Sequence, residues 1–287
     1  MLGLSSLIGK NLRGVMRIFF YFMIFILSLC SSKVSADIRA LILIVASDNE
    51  PIYAEFQKIW RSYMHLDPEH IEVYFVKADP NLSSKVQIVG DTIWCQTTQE
   101  YDGIILKTLY ALESMLPAVL NRFDYVLRTN LSTFCIFPRF LDYLRTLPKT
   151  GCFSGTGLDA VLASGNGLIF SSDIAEFLVA NQDNVLNHIP SYLGDDGLIS
   201  DFLYSRGIRL IPHKFMLWVP NFKEWENIKV SIPSNIFQVR VRTENRIPDD
   251  QIIHSDLLHM FYLSKQLLLD RLLPLHNLGT DLSLISS

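Results

Sequence analysis

Three segments in a fixed order most constrain the fold of this 287-residue chain. Residues 123–134 (FDYVLRTNLSTF) have the pattern of a buried strand that ends in a short polar tip. Residues 163–178 (ASGNGLIFSSDIAEFL) predict a glycine-punctuated turn followed by a strand and a helix. Residues 193–212 (LGDDGLISDFLYSRGIRLIP) place two adjacent carboxylates at the start of a helix. An open α/β sheet binds its ligand at strand carboxyl ends and helix N-termini, so the three segments predict one such site.

The rest of the chain alternates strand and helix signals. Residues 38–46 (IRALILIVA) form a continuous apolar run, which is typical of a strand covered on both faces. Helices are predicted at about 52–65, 100–116, 138–146, 172–181, 195–204 and 250–272, and strands at 71–76, 93–95, 125–128, 153, 168–170, 209–211 and 238–242. Pro117 is expected to end the second helix, and 238–242 is expected at a sheet edge. The alternation predicts an α/β fold with a mostly parallel, mixed sheet flanked by helices, in a single domain.

The first 36 residues are separate from this pattern. Three basic residues precede an apolar run at 18–30, and small residues follow it, as in a signal peptide. An uncleaved signal-anchor is the alternative, and in both cases residues 37–287 leave the cytosol. The predicted organisation is a signal peptide or signal-anchor at 1–36, a folded domain at 37–272 and a C-terminal tail at 273–287.

Composition excludes some classes of protein. The net charge is −4 with an isoelectric point near 6.0, so the chain lacks the basic footprint of a nucleic-acid-binding protein. Cys95, Cys135 and Cys152 follow the leader, and their spacing fits no zinc pattern. We expect them to be small buried apolar residues.

Four landmarks carry a family resemblance. They are YDGIILKT at 101–108, YVLRTNLS at 125–132, ASGNGLIFS at 163–171 and GDDG at 194–197. In this order and spacing they resemble the β-1,3-galactosyltransferase and Fringe group of GT-A glycosyltransferases. The resemblance implies a GT-A-type nucleotide-sugar-binding domain. The implied activity is inverting transfer of a hexose from a UDP-sugar to a hydroxyl of a glycan or glycoprotein. Transfer from a UDP-sugar needs a compartment that contains this donor, so the ER or Golgi lumen is the expected location of the exported domain. Secretion is the alternative.

The strand-end tip departs from that family. Its relatives carry an acidic tip that chelates the divalent metal of the donor diphosphate, whereas this chain has Asn130, Leu131 and Ser132. Neutral oxygens hold a hard dication poorly without carboxylates, so the cofactor is left unknown, with Mn²⁺ possible at a degenerate motif. Lys107 and Arg128 are candidates to neutralise the diphosphate instead. The alternative for both is a solvated charge or a salt bridge.

Asp195 and Asp196 are the strongest candidates for catalysis. Inverting transfer needs a carboxylate to deprotonate the acceptor hydroxyl as it attacks the anomeric carbon. The resemblance assigns that base to the second acid of the pair, Asp196. The alternative is helix capping, and Asp195 fits the cap position.

Weaker candidates complete the predicted site. Asp48 follows the first strand, where such folds meet the nucleotide base, or else caps the next helix. His213 follows a predicted strand and could join Asn130 and Ser132 as a metal ligand. Trp218, with Phe222 and Trp225, could stack on an acceptor sugar or pack in the core. Donor contacts are predicted at Asp48, Lys107, Arg128, Asn130 and Ser132. Acceptor or sugar contacts are predicted at Ser164, Gly165, Asn166, Gly167, Asp195 and Trp218.

Two rival functions remain at this point. A GT-A fold that has lost activity and serves as a glycan-binding or scaffold protein is suggested by the altered tip. A nucleotide-sugar epimerase is disfavoured because no Gly-x-Gly-x-x-Gly follows the first strand. Two glycosylation sequons are also present, and the one at Asn81, in a polar loop, is a better acceptor than the one at Asn130.

Overall fold

The computed structural model describes residues 37–49, 51–100, 103–189, 194–219 and 232–241. The described residues from Ile38 onward belong to one compact unit. The predictions for the leader, for the helix at 250–272, for the tail, and for Phe222 and Trp225 lie outside the described residues.

The described residues form eleven strands and six helices. The strands are β1 (Ala40–Val45), β2 (Ile71–Ala78), β3 (Val86–Val89), β4 (Thr92–Cys95), β5 (Tyr125–Asn130), β6 (Thr133–Cys135), β7 (Phe153–Gly157), β8 (Ala163–Ser171), β9 (Leu210–His213), β10 (Met216–Val219) and β11 (Gln238–Val241). The helices are α1 (Pro51–Tyr63), α2 (Gly103–Arg122), α3 (Phe137–Leu144), α4 (Ser172–Ala180), α5 (Gln182–Leu186) and α6 (Asp195–Ser205).

Eight strands form a mixed sheet in the order β3-β4-β2-β1-β5-β8-β7-β9. The β4-β2, β2-β1, β1-β5 and β7-β9 pairs are parallel, and the other neighbours are antiparallel. Val45 at the end of β1 lies opposite Asn130 at the end of β5. The polar tip therefore sits beside the loop that follows β1, as expected for carboxyl ends of neighbouring parallel strands.

Helices cover both faces of this sheet. Alternate residues of β1 point to opposite faces, with Ile42 and Ile44 in a core cluster that includes α1 and α3, and Leu41 and Leu43 in a cluster that includes α2, α4 and α6. The Trp60 indole Nε1 on α1 donates to the Leu131 carbonyl at 3.0 Å, which fixes the tip against the helix. The predicted α/β class, with a mixed sheet flanked by helices, is confirmed.

Helix α2 runs past its predicted end. Pro117 lies inside the helix, which continues to Arg122, because Val119 in the next turn is fully buried against the sheet. That packing outweighs the backbone hydrogen bond lost at proline. Within the described residues α2 is long and apolar enough to cross a bilayer. Leu109 and Leu112 are instead completely buried, which is the packing of a core helix.

Two further predictions about elements are wrong. The segment at 238–241 is the central strand of a small sheet ordered β10-β11-β6, and all four residues are buried, so it is no edge. The glycine-rich segment 163–167 is the first half of β8 and not a turn. A Cβ on Gly167 would lie 2.5 Å from the Gln238 side-chain amide, so this glycine permits close approach of β11 and makes no turn. The short strands β3, β6 and β10 were not predicted, whereas the three cysteines are buried and unpaired as expected.

Candidate functional site

A cleft of about 480 Å³ opens where β1 and β5 end. The N-terminus of α6 and the first half of β8 form part of its wall. The residues predicted for the site that line this cleft are Lys107, Arg128, Asn130, Ser132, Ser164, Gly165, Asn166, Asp195 and Asp196. Apart from Asp48, the predicted donor and catalytic residues thus converge on one surface, although they come from separate parts of the chain.

Arg128 and Asp195 form a buried ion pair within the wall. Their side chains are only 5% and 8% exposed, and the Arg128 Nη2 donates to the Asp195 carboxylate. Burial raises the pKa of the Asp195 carboxyl, and the Arg128 charge opposes this effect. Arg128 also donates from Nη1 to the Gly165 carbonyl, while its buried Nε has no hydrogen-bond partner in the described structure.

This ion pair corrects the expectation that Asp195 caps its helix. The residue at the cap is Gly194, at φ 99°, which has no side chain to make a capping hydrogen bond. Asp195 is the first helical residue and its carboxylate turns inward to Arg128. An acid at a helix start suits either arrangement, and here the buried guanidinium is the partner.

Asp196 is held differently from its neighbour. Its Oδ2 accepts the Gly165 backbone N–H at 2.8 Å, and its Oδ1 accepts the N–H of Gly197 at 3.0 Å. A carboxylate has about four lone-pair directions, so these two bonds orient the group and leave acceptor capacity. Asp196 lines the cleft and is only half-buried, which places a carboxylate within reach of a bound hydroxyl.

The ammonium group of Lys107 lies in the cleft wall, and no carboxylate is bonded to it to balance its charge. The side chain is 1% exposed, and its Nζ donates to the Ala46 carbonyl at 3.2 Å, just after β1. Burial first and the nearby Arg128 charge second lower the pKa of Lys107 to about 8, while the Asp195 carboxylate acts to raise it. A diphosphate in the cleft would supply the negative charge that this lysine lacks.

The tip offers a poor set of metal ligands. The Asn130 Oδ1 accepts hydrogen bonds from Thr133 Oγ1 at 2.9 Å, Ser132 Oγ at 3.3 Å and the Nη1 of Arg240. The Asn130 Nδ2 donates to two oxygens of β8, which fixes the orientation of the amide. Among the described residues, no group of three His, Cys, Asp or Glu side chains is placed to hold a metal ion. These residues do not fit a divalent cation, which needs several free oxygen ligands.

His213 lies elsewhere, which overturns its prediction as a ligand beside Asn130 and Ser132. It is 5% exposed in an aromatic cluster with Tyr143 and Phe215, and it lines a second cavity, of about 500 Å³. Its Nδ1 accepts the Phe215 N–H at 3.3 Å. Burial lowers the pKa of His213 to about 4, so the ring is neutral at pH 7.

Three other predicted residues lie outside the cleft lining. Asp48 accepts hydrogen bonds from Lys77 Nζ at 2.7 Å and Gln57 Nε2 at 3.0 Å. Burial acts to raise the pKa of Asp48, but these two partners lower it below its usual value. Gly167 packs against Gln238. Trp218 is 46% exposed and lies in register beside Arg240 on the neighbouring strand.

The structure adds lining residues that the sequence did not single out. They are Ser47, Asn49, Tyr53, Gln99, Ile104 and Arg240. Ser47 and Asn49 flank Asp48 in the loop after β1. Arg240 carries a signal that could have been used, because a charged residue alternates with apolar ones in 238–242 and must find a polar partner if that strand is buried.

Comparisons with known proteins were made for the whole chain. No protein-family model and no curated protein sequence matches it. Among solved structures, the chain is similar to mouse xyloside xylosyltransferase 1 in its apo form, with a TM-score of 0.41 and 9% sequence identity. The similarity covers 71% of this chain and 97% of that chain. At this score and identity it carries no argument, so the functional case depends on the cleft and its residues.

Proposed function

We propose that this protein is a GT-A-type inverting glycosyltransferase, which moves a hexose from a UDP-sugar to a hydroxyl of a glycan or glycoprotein. One observation carries the proposal. A single cleft at the carboxyl ends of parallel strands brings buried cations, Lys107 and Arg128, together with an oriented carboxylate, Asp196. Cations suit a donor diphosphate, and a carboxylate suits deprotonation of an acceptor.

The donor is bound by the wall next to β1. Asp48 does not face the cleft, but its bonds to Lys77 and Gln57 anchor the loop whose Ser47 and Asn49 line it. We assign Asp48 a positioning role for the nucleotide. Lys107, protonated below a pKa of about 8, contributes its charge to the diphosphate at neutral pH.

The proposed reaction uses both the Asp196 carboxylate and the cations of the cleft wall. The acceptor hydroxyl oxygen attacks the anomeric carbon of the donor sugar and transfers its proton to the Asp196 carboxylate. The bond from that carbon to the diphosphate oxygen breaks on the opposite face, and its electron pair leaves with UDP. Cations in the wall stabilise the charge that develops on this leaving group.

The acceptor side and the cellular setting rest on sequence and register. Trp218 is half-exposed beside Arg240, so it can present a ring to an acceptor sugar next to the cleft. The N-terminal export signal and the need for a nucleotide-sugar donor together favour the ER or Golgi lumen, with the domain soluble or attached to the membrane through an uncleaved N-terminal segment. Secretion is the alternative.

One observation favours a second function, that of an inactive glycan-binding or scaffold protein. Both oxygens of the Asp196 carboxylate already accept backbone N–H groups, from Gly165 and Gly197. In that case the cleft would bind a nucleotide or sugar without transfer.

The experiment measures UDP release from a panel of UDP-hexoses with glycan acceptors, and UDP binding by calorimetry. Asp196→Asn is expected to lower transfer by roughly 10²- to 10⁴-fold, the usual effect of losing a general base, with UDP binding retained. Its melting temperature should fall modestly, because the amide NH₂ faces one of the two backbone N–H groups that the carboxylate accepts. Asp201→Asn, on the same helix and hydrogen-bonded to His188, is the matched control and should keep normal transfer. Asp195→Asn should instead destabilise the fold by about 3–5 kcal/mol, because it leaves Arg128 buried without its counter-charge.

The outcomes separate the hypotheses. Normal turnover in Asp196→Asn would place the base elsewhere. Nucleotide or glycan binding without transfer of any tested hexose would favour the inactive binder. Failure of the wild-type protein to bind any uridine nucleotide would contradict the proposal.

A further inference from the structure

We propose that a nucleoside diphosphate binds in this cleft without a divalent cation, and that the Lys107 ammonium group takes the place of the metal. The inference rests on the proposed function, since it concerns how the same cleft holds its donor. Two separate observations support it. The oxygens of the strand-end tip are already bonded, and the ammonium group in the cleft wall has donors that the fold leaves unused.

The side-chain oxygen of the tip amide has no lone pair left for a metal. The Asn130 Oδ1 accepts hydrogen bonds from three donors, which include Ser132 Oγ and Thr133 Oγ1. An amide oxygen has two lone pairs, so no direction remains for a cation. Rotating the amide would bring its NH₂ group against those same donors, and the bonds from Nδ2 to β8 oppose this.

The backbone oxygens of the tip point into the protein. The Leu131 carbonyl accepts the Trp60 indole N–H at 3.0 Å, and the Ser132 carbonyl accepts the Val241 N–H at 2.8 Å. Both donor residues are fully buried. Because a carbonyl oxygen is directed at its donor, these two oxygens face α1 and β11. Leu131 itself adds only an apolar side chain to the tip.

The two acids of the cleft do not complete a metal site. The Asp195 carboxylate is bonded to Arg128, and both oxygens of the Asp196 carboxylate accept backbone N–H groups. In the part of the chain that the structure describes, no three acidic, histidine or cysteine side chains converge. A hard dication takes about six oxygen ligands, so the structure disagrees with the metal that the family resemblance implies.

Lys107 supplies positive charge at the same edge of the sheet. Its Nζ donates to the carbonyl of Ala46, just after β1, and both residues line the cleft. An ammonium group has three N–H donors, and the described structure uses one of them. Arg128 is already balanced by Asp195, whereas no carboxylate is bonded to Lys107. A charged N–H donor bonds a phosphate oxygen strongly and needs no chelating acids.

The surroundings of Lys107 give this interaction a measurable signature. Burial and the Arg128 charge lower the pKa of Lys107 to about 8, while Cys95 of β4 and Asp195 of α6 act to raise it. A bound diphosphate adds negative charge beside the ammonium group and raises this pKa. At pH 8 about half of the unliganded protein carries the proton, so binding should take up about half a proton per diphosphate.

The test is UDP binding by calorimetry in EDTA and in Mn²⁺, with uridine as the phosphate-free comparison. Wild-type protein is expected to bind UDP in EDTA within about threefold of its affinity in Mn²⁺. Lys107→Met should weaken UDP binding by at least roughly 10-fold in both conditions and leave uridine binding unchanged. Lys58→Met, at an exposed position on α1, is the matched control and should bind UDP normally.

The proton is measured in the same experiment. At pH 8 in EDTA, the heat of UDP binding to the wild type should change with the ionisation enthalpy of the buffer, by the amount expected for about half a proton. Lys107→Met should lack this buffer dependence. A merely structural role of Lys107 would give neither the proton uptake nor a loss confined to the phosphate-bearing ligand.

Each contrary result is distinguishable. UDP binding that requires Mn²⁺ in the wild type overturns the inference without any variant. Wild-type UDP affinity in Lys107→Met overturns it as well, as does an equal loss of UDP and uridine binding. Heats of UDP binding that do not vary with buffer in the wild type overturn the role of Lys107. Absence of UDP binding in both EDTA and Mn²⁺ contradicts the proposed function itself, and the inference with it.

Discussion

Replacing Lys107 by methionine is expected to stabilise the fold and to weaken nucleotide binding. The ammonium group is buried, with the Ala46 carbonyl as its hydrogen-bond partner. The pKa falls from 10.5 to about 8. At about 1.4 kcal/mol per pKa unit, keeping this lysine charged in the fold costs roughly 3 kcal/mol. Methionine has a similar length without the charge, so it removes that cost.

The lowered pKa of Lys107 sets the direction in which the stability of the fold changes with pH. Below pH 8 the lysine is charged in both folded and unfolded chains, and the full cost is present. Between about 8 and 10.5 the unfolded chain holds the proton and the folded chain releases it. Unfolding then takes up a proton, so the stability of the wild type rises with pH across this window. Lys107→Met lacks this rise.

Lys107→Met removes the cost of the buried charge but also loses the hydrogen bond to the Ala46 carbonyl, which contributes about 1 kcal/mol to stability. The net gain at pH 7 is therefore roughly 2 kcal/mol, equivalent to an increase of about 4–8 °C in melting temperature for a domain of this size. Melting curves at pH 7 to 10 should show the advantage of Lys107→Met shrinking as the pH passes 8. UDP binding at pH 7 should be at least roughly 10-fold weaker, because a charge-assisted bond to phosphate is lost.

Lys58→Met is the control, since Lys58 is 68% exposed on α1 and pairs with Glu55 at the surface. Its stability should change by less than about 0.5 kcal/mol at every pH. A fall in melting temperature for Lys107→Met at pH 7, or an advantage that does not vary with pH, would refute the assignment of an uncompensated buried charge. Unchanged UDP affinity would refute the donor role of Lys107.

Three further variants test the cleft and the leader. In Gly165→Ala, the new Cβ would lie 3.0 Å from both Arg128 Nη1 and Asp196 Oδ2. These groups must shift by a few tenths of an ångström, and transfer should fall by roughly 10-fold or more; transfer rates at the wild-type level would contradict the tight packing. Asn81 is exposed in a turn, whereas the Asn130 amide is bonded within the site. On expression in a eukaryotic cell, Asn81→Gln should therefore remove a glycosidase-sensitive mobility shift and Asn130→Gln should not. An unglycosylated wild type would contradict export of residues 37–287.

The centre of the fold was predictable because its signals are local. The apolar run of β1 and the buried strand β5 were both placed correctly, and parallel pairing then brings the tip beside the loop after β1. The carboxylates at the start of α6 line the same cleft, where they are bonded to Arg128 of β5 and to the Gly165 N–H of β8. An acid pair at a helix start and a strand-end polar tip are patterns that a single sequence displays directly.

The contacts between residues of the site could not be predicted from local sequence patterns. Arg128 and Asp195 are 67 residues apart, and Arg240 is 110 residues from Asn130. Capping and ion pairing both place an acid in the first helical turn, so only the buried guanidinium decides between them. Gly167 illustrates a related limit, since a glycine that admits a neighbouring strand looks in sequence like one that makes a turn.

The energetics of the cleft argue that it binds an anion. Lys107 is buried without a bonded carboxylate, and the buried Nε of Arg128 has no partner in the described structure. Each of these buried polar groups lowers the free energy of unfolding, and apolar side chains of similar size in their place would raise it. A bound diphosphate would satisfy the cations and stabilise the native state by an amount that grows with the logarithm of its concentration relative to its dissociation constant. Both the transferase and the inactive binder need this anion site. The Asp196 variant therefore decides between them, because it alters the base and leaves the cations in place.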